Sequence, residues 1–177
     1  MRASLCTALF SVLFLFLSFS SSFAYEVKTR YAVIAYEAEE HLRKFNKEVS
    51  LGSISHLLRN RSGITLADEV SNKLDAIVER VETILDMHPA GLQFRVTLLA
   101  SDSDVQRTYH QKYGRKTDFI AFYSPREKTV YVSVDDIRLG VLAHELTHVI
   151  LDHYFGVSPP VKIHEVLAQF VESHLRD

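Results

Sequence analysis

The clearest hydrophobic pattern in the chain runs through TLADEVSNKLDAIVERVETILDM. Apolar residues recur there at Leu66, Val70, Leu74, Ile77, Val81, Ile84 and Leu85, close to a 3.6-residue period. That spacing lines one face of an amphipathic helix. Thr65 has N-cap character with the acid Asp68 in the first turn, and Pro89-Ala90-Gly91 stops the helix after His88. Upstream, Thr29–Tyr36 (TRYAVIAY) is β-branched and aromatic and predicts a first strand. The mixed charges of 37–48 predict a short exposed helix, and 50–62 a weaker region with one or two apolar-faced turns. Downstream, Leu92–Ala100 predicts a second strand, and 102–113 a helix closed by Gly114. Asp118–Tyr123 and Thr129–Val134 flank the five-residue stretch Ser124–Lys128 and predict a hairpin. Two more helices follow. One opens at Asp135 and ends at Gly156; the other starts after Ser158-Pro159-Pro160.

The first residues read differently. A single base, Arg2, precedes an apolar run from Leu5 to Phe19 and then Ser22-Phe23-Ala24. This is the pattern of a secretory signal peptide over residues 1–24, cleaved before Tyr25. The apolar run is shorter than the ~20 residues of a spanning helix, which weighs against an uncleaved anchor. Residues 25–177 are then expected to form one exported domain, periplasmic or extracellular. The chain's one cysteine, Cys6, lies in the leader, so no disulfide is available to that domain and its core, or its core plus a metal, must hold it. With 20 Lys+Arg against 22 Asp+Glu the charge is near balance, which points away from nucleic acid and from an anionic membrane surface as partners.

Chemistry concentrates in DDIRLGVLAHELTHVILDHYF. His144 and His148 are four residues apart, so a helix projects both imidazoles from one face, where they can meet one cation. Zinc suits two neutral nitrogens and an oxygen, with a fourth position left for water. Glu145 lies 100° round the helix from His144 and reaches that water rather than the metal. It is the expected general base of metal-assisted hydrolysis. The surrounding residues Val141, Leu142, Ala143, Val149, Ile150 and Leu151 are apolar, and a buried helix carrying two His and a Glu needs partners for them. The third ligand is sought on the last helix, VKIHEVLAQFVESHL, which returns antiparallel. At 1.5 Å per residue Glu165 lies about 7.5 Å from the turn and Glu172 about 18 Å, with the histidine midpoint at about 13.5 Å between them. Register alone leaves both open. Glu165 is preferred, because Glu172 sits where helix ends fray, and is read as a bracing or solvated residue.

H-E-L-T-H-V-I, a Pro-containing turn and H-E-V-L-A-Q-F-V-E together resemble the gluzincin clan of zinc metallopeptidases, and within it the compact peptidase MA-like and minigluzincin members. The metzincin pattern does not fit, since Leu151 and Tyr154 occupy its glycine and third-histidine positions. Glu165, Ala168 and Phe170 follow the gluzincin second motif in type and order. Val166 stands where the clan usually has glycine. Gln169 stands where thermolysin-like members place an Asp that braces a histidine ligand. The order of strand, long helix, strand, hairpin and metal helix is also the zincin order.

The resemblance implies an α+β, zincin-like fold: a small twisted mixed sheet with an edge hairpin, a backing helix, the HExxH helix and a C-terminal glutamate helix. It implies one Zn2+ per chain held by His144, His148 and Glu165, with Glu145 as base, in a peptidase that hydrolyses peptide bonds. Thr129–Val134 would be the exposed edge strand on which a peptide or protein substrate pairs. A Tyr or His would stabilise the oxyanion, with His153, Tyr154, His164, His174 and Tyr131 as candidates. The other reading is a zinc-binding, non-proteolytic envelope protein that keeps the fold.

Overall fold

A computed structural model describes residues 25–177; the expected leader lies outside the described residues. Over the described residues the fold is α+β, with one five-stranded mixed sheet and five α-helices. In chain order these are β1 (Tyr25–Lys28), β2 (Ala32–Tyr36), α1 (Glu39–Glu48), α2 (Leu66–Leu85), β3 (Phe94–Leu99), α3 (Asp102–Tyr113), β4 (Ala121–Ser124), β5 (Thr129–Ser133), α4 (Leu139–Tyr154) and α5 (Val161–His174). A 3₁₀ segment at Gly52–Leu58 links α1 to α2. Among the described residues, no helix is long and apolar enough to cross a membrane.

The sheet order is β1-β2-β3-β5-β4. Strands β2, β3 and β5 run parallel, and β1 and β4 close the two edges antiparallel. Parallel neighbours need helical crossovers; α2 lies between β2 and β3 in sequence, and α3 between β3 and the β4–β5 hairpin. One face of the sheet carries Ile34, Val96 and Val130, in register across three strands, with Leu98 beside Val132. These pack into one core with Val70, Leu74, Ile77 and Val81 of α2 and with Leu142, Leu146, Val149 and Ile150 of α4. Each such side chain contributes about 1.5–3 kcal/mol by leaving water. Helix α3 covers the opposite face, where Tyr109 meets Phe122 edge-to-face at 5.1 Å.

Several boundaries differ from the sequence reading. The strand expected over Thr29–Tyr36 shortens to β2, and an unexpected strand, β1, precedes it: Thr29 Oγ1 accepts from the Tyr31 and Ala32 amides and turns the chain between them. Helix α2 starts as expected, with Thr65 and Asp68 capping each other reciprocally. It ends earlier, because Asp86 takes the left-handed conformation (φ 53°) and Met87 N–H returns to the Glu82 carbonyl. Helix α4 begins at Leu139, not Asp135. Asp135 is paired with Lys44 and Asp136 accepts from Ser133 Oγ, so both acids serve a turn instead of a first helical turn.

The largest correction concerns the edge. Thr129–Val134, expected as the exposed edge strand, is interior: β5 lies between β3 and β4, with Val130, Val132 and Val134 fully buried. The free edge is β4. A hairpin alone does not say which arm faces outward; the parallel pairing of β5 with β3 decides it. Ser133 N–H donates to the Ile120 carbonyl, so Phe122 and Ser124 also turn their backbone groups toward β5. The backbone groups of Ala121 and Tyr123 therefore face away from the sheet.

The hairpin loop ends at Lys128, which holds φ at 48° after a tight turn in which Glu127 N–H meets the Ser124 carbonyl. A side chain in the left-handed region costs about 1–2 kcal/mol. Lys128→Gly is expected to raise stability by about 1 kcal/mol in urea unfolding, with the edge strand unchanged. A loss of stability would show that the lysine side chain, rather than its backbone angle, matters to the hairpin.

Candidate metal centre

Helices α4 and α5 pack antiparallel through the Gly156–Pro160 turn, with α4 lying under β4 and β5. His144, Glu145 and His148 lie half-buried on the cleft side of α4, whose other face buries Leu142, Leu146, Val149 and Ile150. From α5, Ala168 and Val171 enter the interior while Glu165 stays half-buried at the helix contact.

His144 Nε2 is 3.4 Å from Glu165 Oε2, and His148 Nε2 is 3.7 Å from Glu165 Oε1. One ligand atom from each of the three lies within 4.8 Å of the other two. Zinc bound tetrahedrally at about 2.0–2.1 Å spaces its ligands about 3.3 Å apart, so this donor set and spacing fit the ion. Glu172, the alternative from register, is elsewhere: its Oε1 bonds His144 Nδ1, on the far side of the ring.

The second histidine is braced too. His148 Nδ1 is 3.2 Å from His164 Nδ1, His164 Nε2 is 3.0 Å from Ser158 Oγ, and Ser158 Oγ donates to Asp152. The Tyr123 side chain lines the same cleft as Asp152. With the His148 Nε2 lone pair directed at the centre, its proton lies on Nδ1 and is donated to His164. The His164 proton then lies on Nε2 and goes to Ser158, whose hydroxyl donates to Asp152. Every donor finds an acceptor in one direction only, so the chain fixes the tautomer of His148.

Glu145 sits beneath the edge strand, its Oε2 accepting from Tyr123 N–H at 2.8 Å. Burial pushes its carboxyl up to about 7; His144 and the Tyr123 amide pull the other way, while Glu165 and Glu172 push it further up. Burial, with the like charges of His144 and His164, holds His148 down to about 4. His148 is therefore neutral at physiological pH, the form in which imidazole binds metal. Burial and the Asp152 carboxylate hold the Tyr123 hydroxyl protonated.

These groups line a cleft of about 630 Å³, with Tyr109, Tyr113, Phe119 and Phe122 along one wall. Four of the five oxyanion candidates do not line it. His153 turns toward the Val149 and Gln93 carbonyls, Tyr154 packs edge-to-face on Phe155, His174 lies against Phe170, and Tyr131 donates to Glu127. His164 reaches the cleft wall, but both its ring nitrogens are engaged as above. Sequence reasoning gave Tyr123 and Ser158 no role. No spacing rule announces them, since they come from an edge strand and a turn. Comparison with known protein families, curated proteins and solved structures finds no match for the chain.

Two predictions follow from this geometry. In zinc competition with a chromophoric chelator, Glu165→Ala is expected to abolish tight binding. Glu172→Ala and His164→Phe are expected to weaken it about 10–100-fold, the usual effect of losing a brace. A Glu172→Ala protein without tight binding beside a Glu165→Ala protein that keeps it would move the carboxylate ligand to Glu172.

The second concerns pH. In the metal-free protein Glu145 titrates at about 7 against 4.5 in the unfolded chain, so folding binds a proton between those values. Its contribution to stability is therefore full below pH 4.5 and is lost as pH rises through 7. His148 runs the other way: with its value near 4 against 6.5 unfolded, stability is lost as pH falls from 6.5 toward 4. The two nearly offset each other between 4.5 and 6.5. Glu145→Gln removes one of them. The metal-free variant should gain in Tm over the parent from pH 5 to pH 8; a constant difference would place Glu145 in solvent.

Proposed function

We propose that this chain is an exported, zinc-dependent peptidase with a zincin-like fold. The observation that carries the reading is one arrangement. His144 Nε2, His148 Nε2 and Glu165 converge with a metal's spacing, while Glu145 is tied beside them to the backbone of a free strand edge. His144, His148 and Glu165 would hold zinc. When bound, zinc supplies Lewis-acid chemistry, polarising a carbonyl and acidifying a water.

The rest belongs to the chain's own residues. A peptide adds to β4 as a further strand through the outward N–H and C=O of Ala121 and the C=O of Tyr123. That edge replaces Thr129–Val134 as the pairing strand. Glu145, near neutrality in its proton affinity, takes a proton from the attacking water and delivers it to the leaving amine. Glu172 and the His164–Ser158–Asp152 chain keep both imidazoles in their ligand tautomers. Export rests on residues 1–24, and the absence of cysteine from 25–177 agrees with a domain that relies on its core and a metal.

A zinc-binding, non-proteolytic envelope protein is the second reading. It is favoured by one observation: none of the five candidate Tyr and His side chains offers a free donor to the cleft. One experiment separates the two. The purified protein is expected to carry about one zinc and to cleave members of a peptide library, and Glu145→Gln to keep zinc and lose cleavage. Cleavage that persists undiminished in Glu145→Gln would remove Glu145 as base. Zinc without cleavage by the parent favours the second reading, and a protein that stays metal-free after zinc loading refutes both.

A further inference from the structure

The cleft has two unlike walls. On the α4–α5 side it is polar and ionisable. On the α3 side it is aromatic: Tyr109 meets Tyr113 at 4.7 Å, Phe119 at 5.2 Å and Phe122 at 5.1 Å between ring centroids. Packing of α3 on the sheet accounts for Phe122, which is buried and stacks on Tyr131 at 4.8 Å. It does not account for Phe119 and Tyr113, which stay 45% and 42% exposed beside the cleft. Of the nearby cations, Lys112 is withdrawn from this wall, because its Nζ is paired with Glu127 at 2.6 Å and lies over the Tyr131 ring. The residues that line the wall are aromatic, while Arg115, Lys116 and Asp118 stand exposed in the loop between Tyr113 and Phe119.

The register of β4 says which part of a bound strand meets this wall. Tyr123 directs its side chain to Asp152 of α4, whereas Phe122 points to the α3 face. A strand added at the free edge of β4 alternates in the same way. Its residue opposite Ala121 turns toward α4 and the candidate metal centre. Its residue opposite Phe122, one position along, turns toward Tyr109, Tyr113 and Phe119.

We propose that the Tyr109–Tyr113–Phe119 ledge is a specificity subsite, taking a bulky apolar or aromatic side chain from the peptide residue that pairs opposite Phe122. This deepens the peptidase reading and rests on it for the identity of the occupant. The ledge lies across the sheet edge from the metal centre, so it selects the residue beside the one facing the metal. An apolar or aromatic side chain there leaves water against aromatic faces, which favours it over a small one.

The chain has no tryptophan, so a tryptophan in a test peptide reports binding without background. Extended peptides differing only at one position (Phe, Ala or Asp) are titrated against zinc-loaded Glu145→Gln protein and against the same protein carrying Phe119→Ala or Phe119→Leu. The Phe peptide is expected to bind about tenfold more tightly than the Ala peptide, and more tightly than the Asp peptide as well. Phe119→Ala should cut the preference to about twofold, and Phe119→Leu should restore part of it. Phe119 is exposed, so these changes spare the core, and circular dichroism checks the fold. Equal binding of the Phe and Ala peptides, or a preference untouched by Phe119→Ala, overturns the subsite. Library cleavage by the parent protein keeps the two claims apart. Cleavage without an aromatic preference leaves a peptidase and removes the ledge. Aromatic-selective binding without cleavage leaves the ledge and removes the peptidase.

Discussion

The constraint on which this structure turns is the cost of placing ionisable groups on a packed helix. Helix α4 fills the interior with Leu142, Leu146, Val149 and Ile150, and the same helix must carry His144, Glu145 and His148 at the margin of that core. A polar group taken out of water without a partner costs several kcal/mol, and a charge costs more. The neighbouring elements supply the partners. The edge strand offers the Tyr123 amide to Glu145, α5 offers Glu172 to His144 and His164 to His148, and the α4–α5 turn offers Ser158 to His164. Among these histidine and glutamate groups, His144 Nε2, His148 Nε2 and the Glu165 carboxylate keep capacity in hand. They face one another, and several carboxylates converge around histidines of which His148 is held neutral. That is the electrostatic setting of a cation site.

Much of this was legible in sequence wherever the signal was local. The i, i+4 histidines, the 3.6-period of α2, the Thr65 cap and the Gly-Pro punctuation between α4 and α5 each follow from a few neighbouring residues, and each reappears in the structure. Non-local decisions were not legible. Nothing within TVYVSV states that its outer partner is β4 rather than solvent. That outcome depends on β3, some thirty residues upstream, pairing parallel with β5. Asp135 and Asp136 looked like a helix start because acids favour that position, but Lys44 and Ser133 hold them in a turn.

The shift of the edge from β5 to β4 alters the chemistry as well as the topology. With β4 outermost, Tyr131 is covered by Phe122 and bonded to Glu127 on the α3 face, while Tyr123, opposite Val130, comes over α4. Tyr123 ties the edge strand to α4 through its amide, which donates to Glu145.

The bracing pattern follows from the antiparallel return of α5. In a helical hairpin, residues near the turn meet residues near the turn, and distant ones meet distant ones. His148 is nearer the turn than His144, so its brace must come from early in α5, and the brace for His144 from later. His164 and Glu172 stand in that order. A carboxylate four residues after Glu165 would lie about 6 Å along the axis and about 40° round, and Gln169 occupies that place. Seven residues on, Glu172 lies about 10.5 Å along and about 20° round the other way, still on the face of Glu165. The extra turn carries the brace past the ring and onto Nδ1 of His144. Gln169 therefore does not leave His144 unbraced: Glu172, three residues further along the helix, holds the imidazole from its far side.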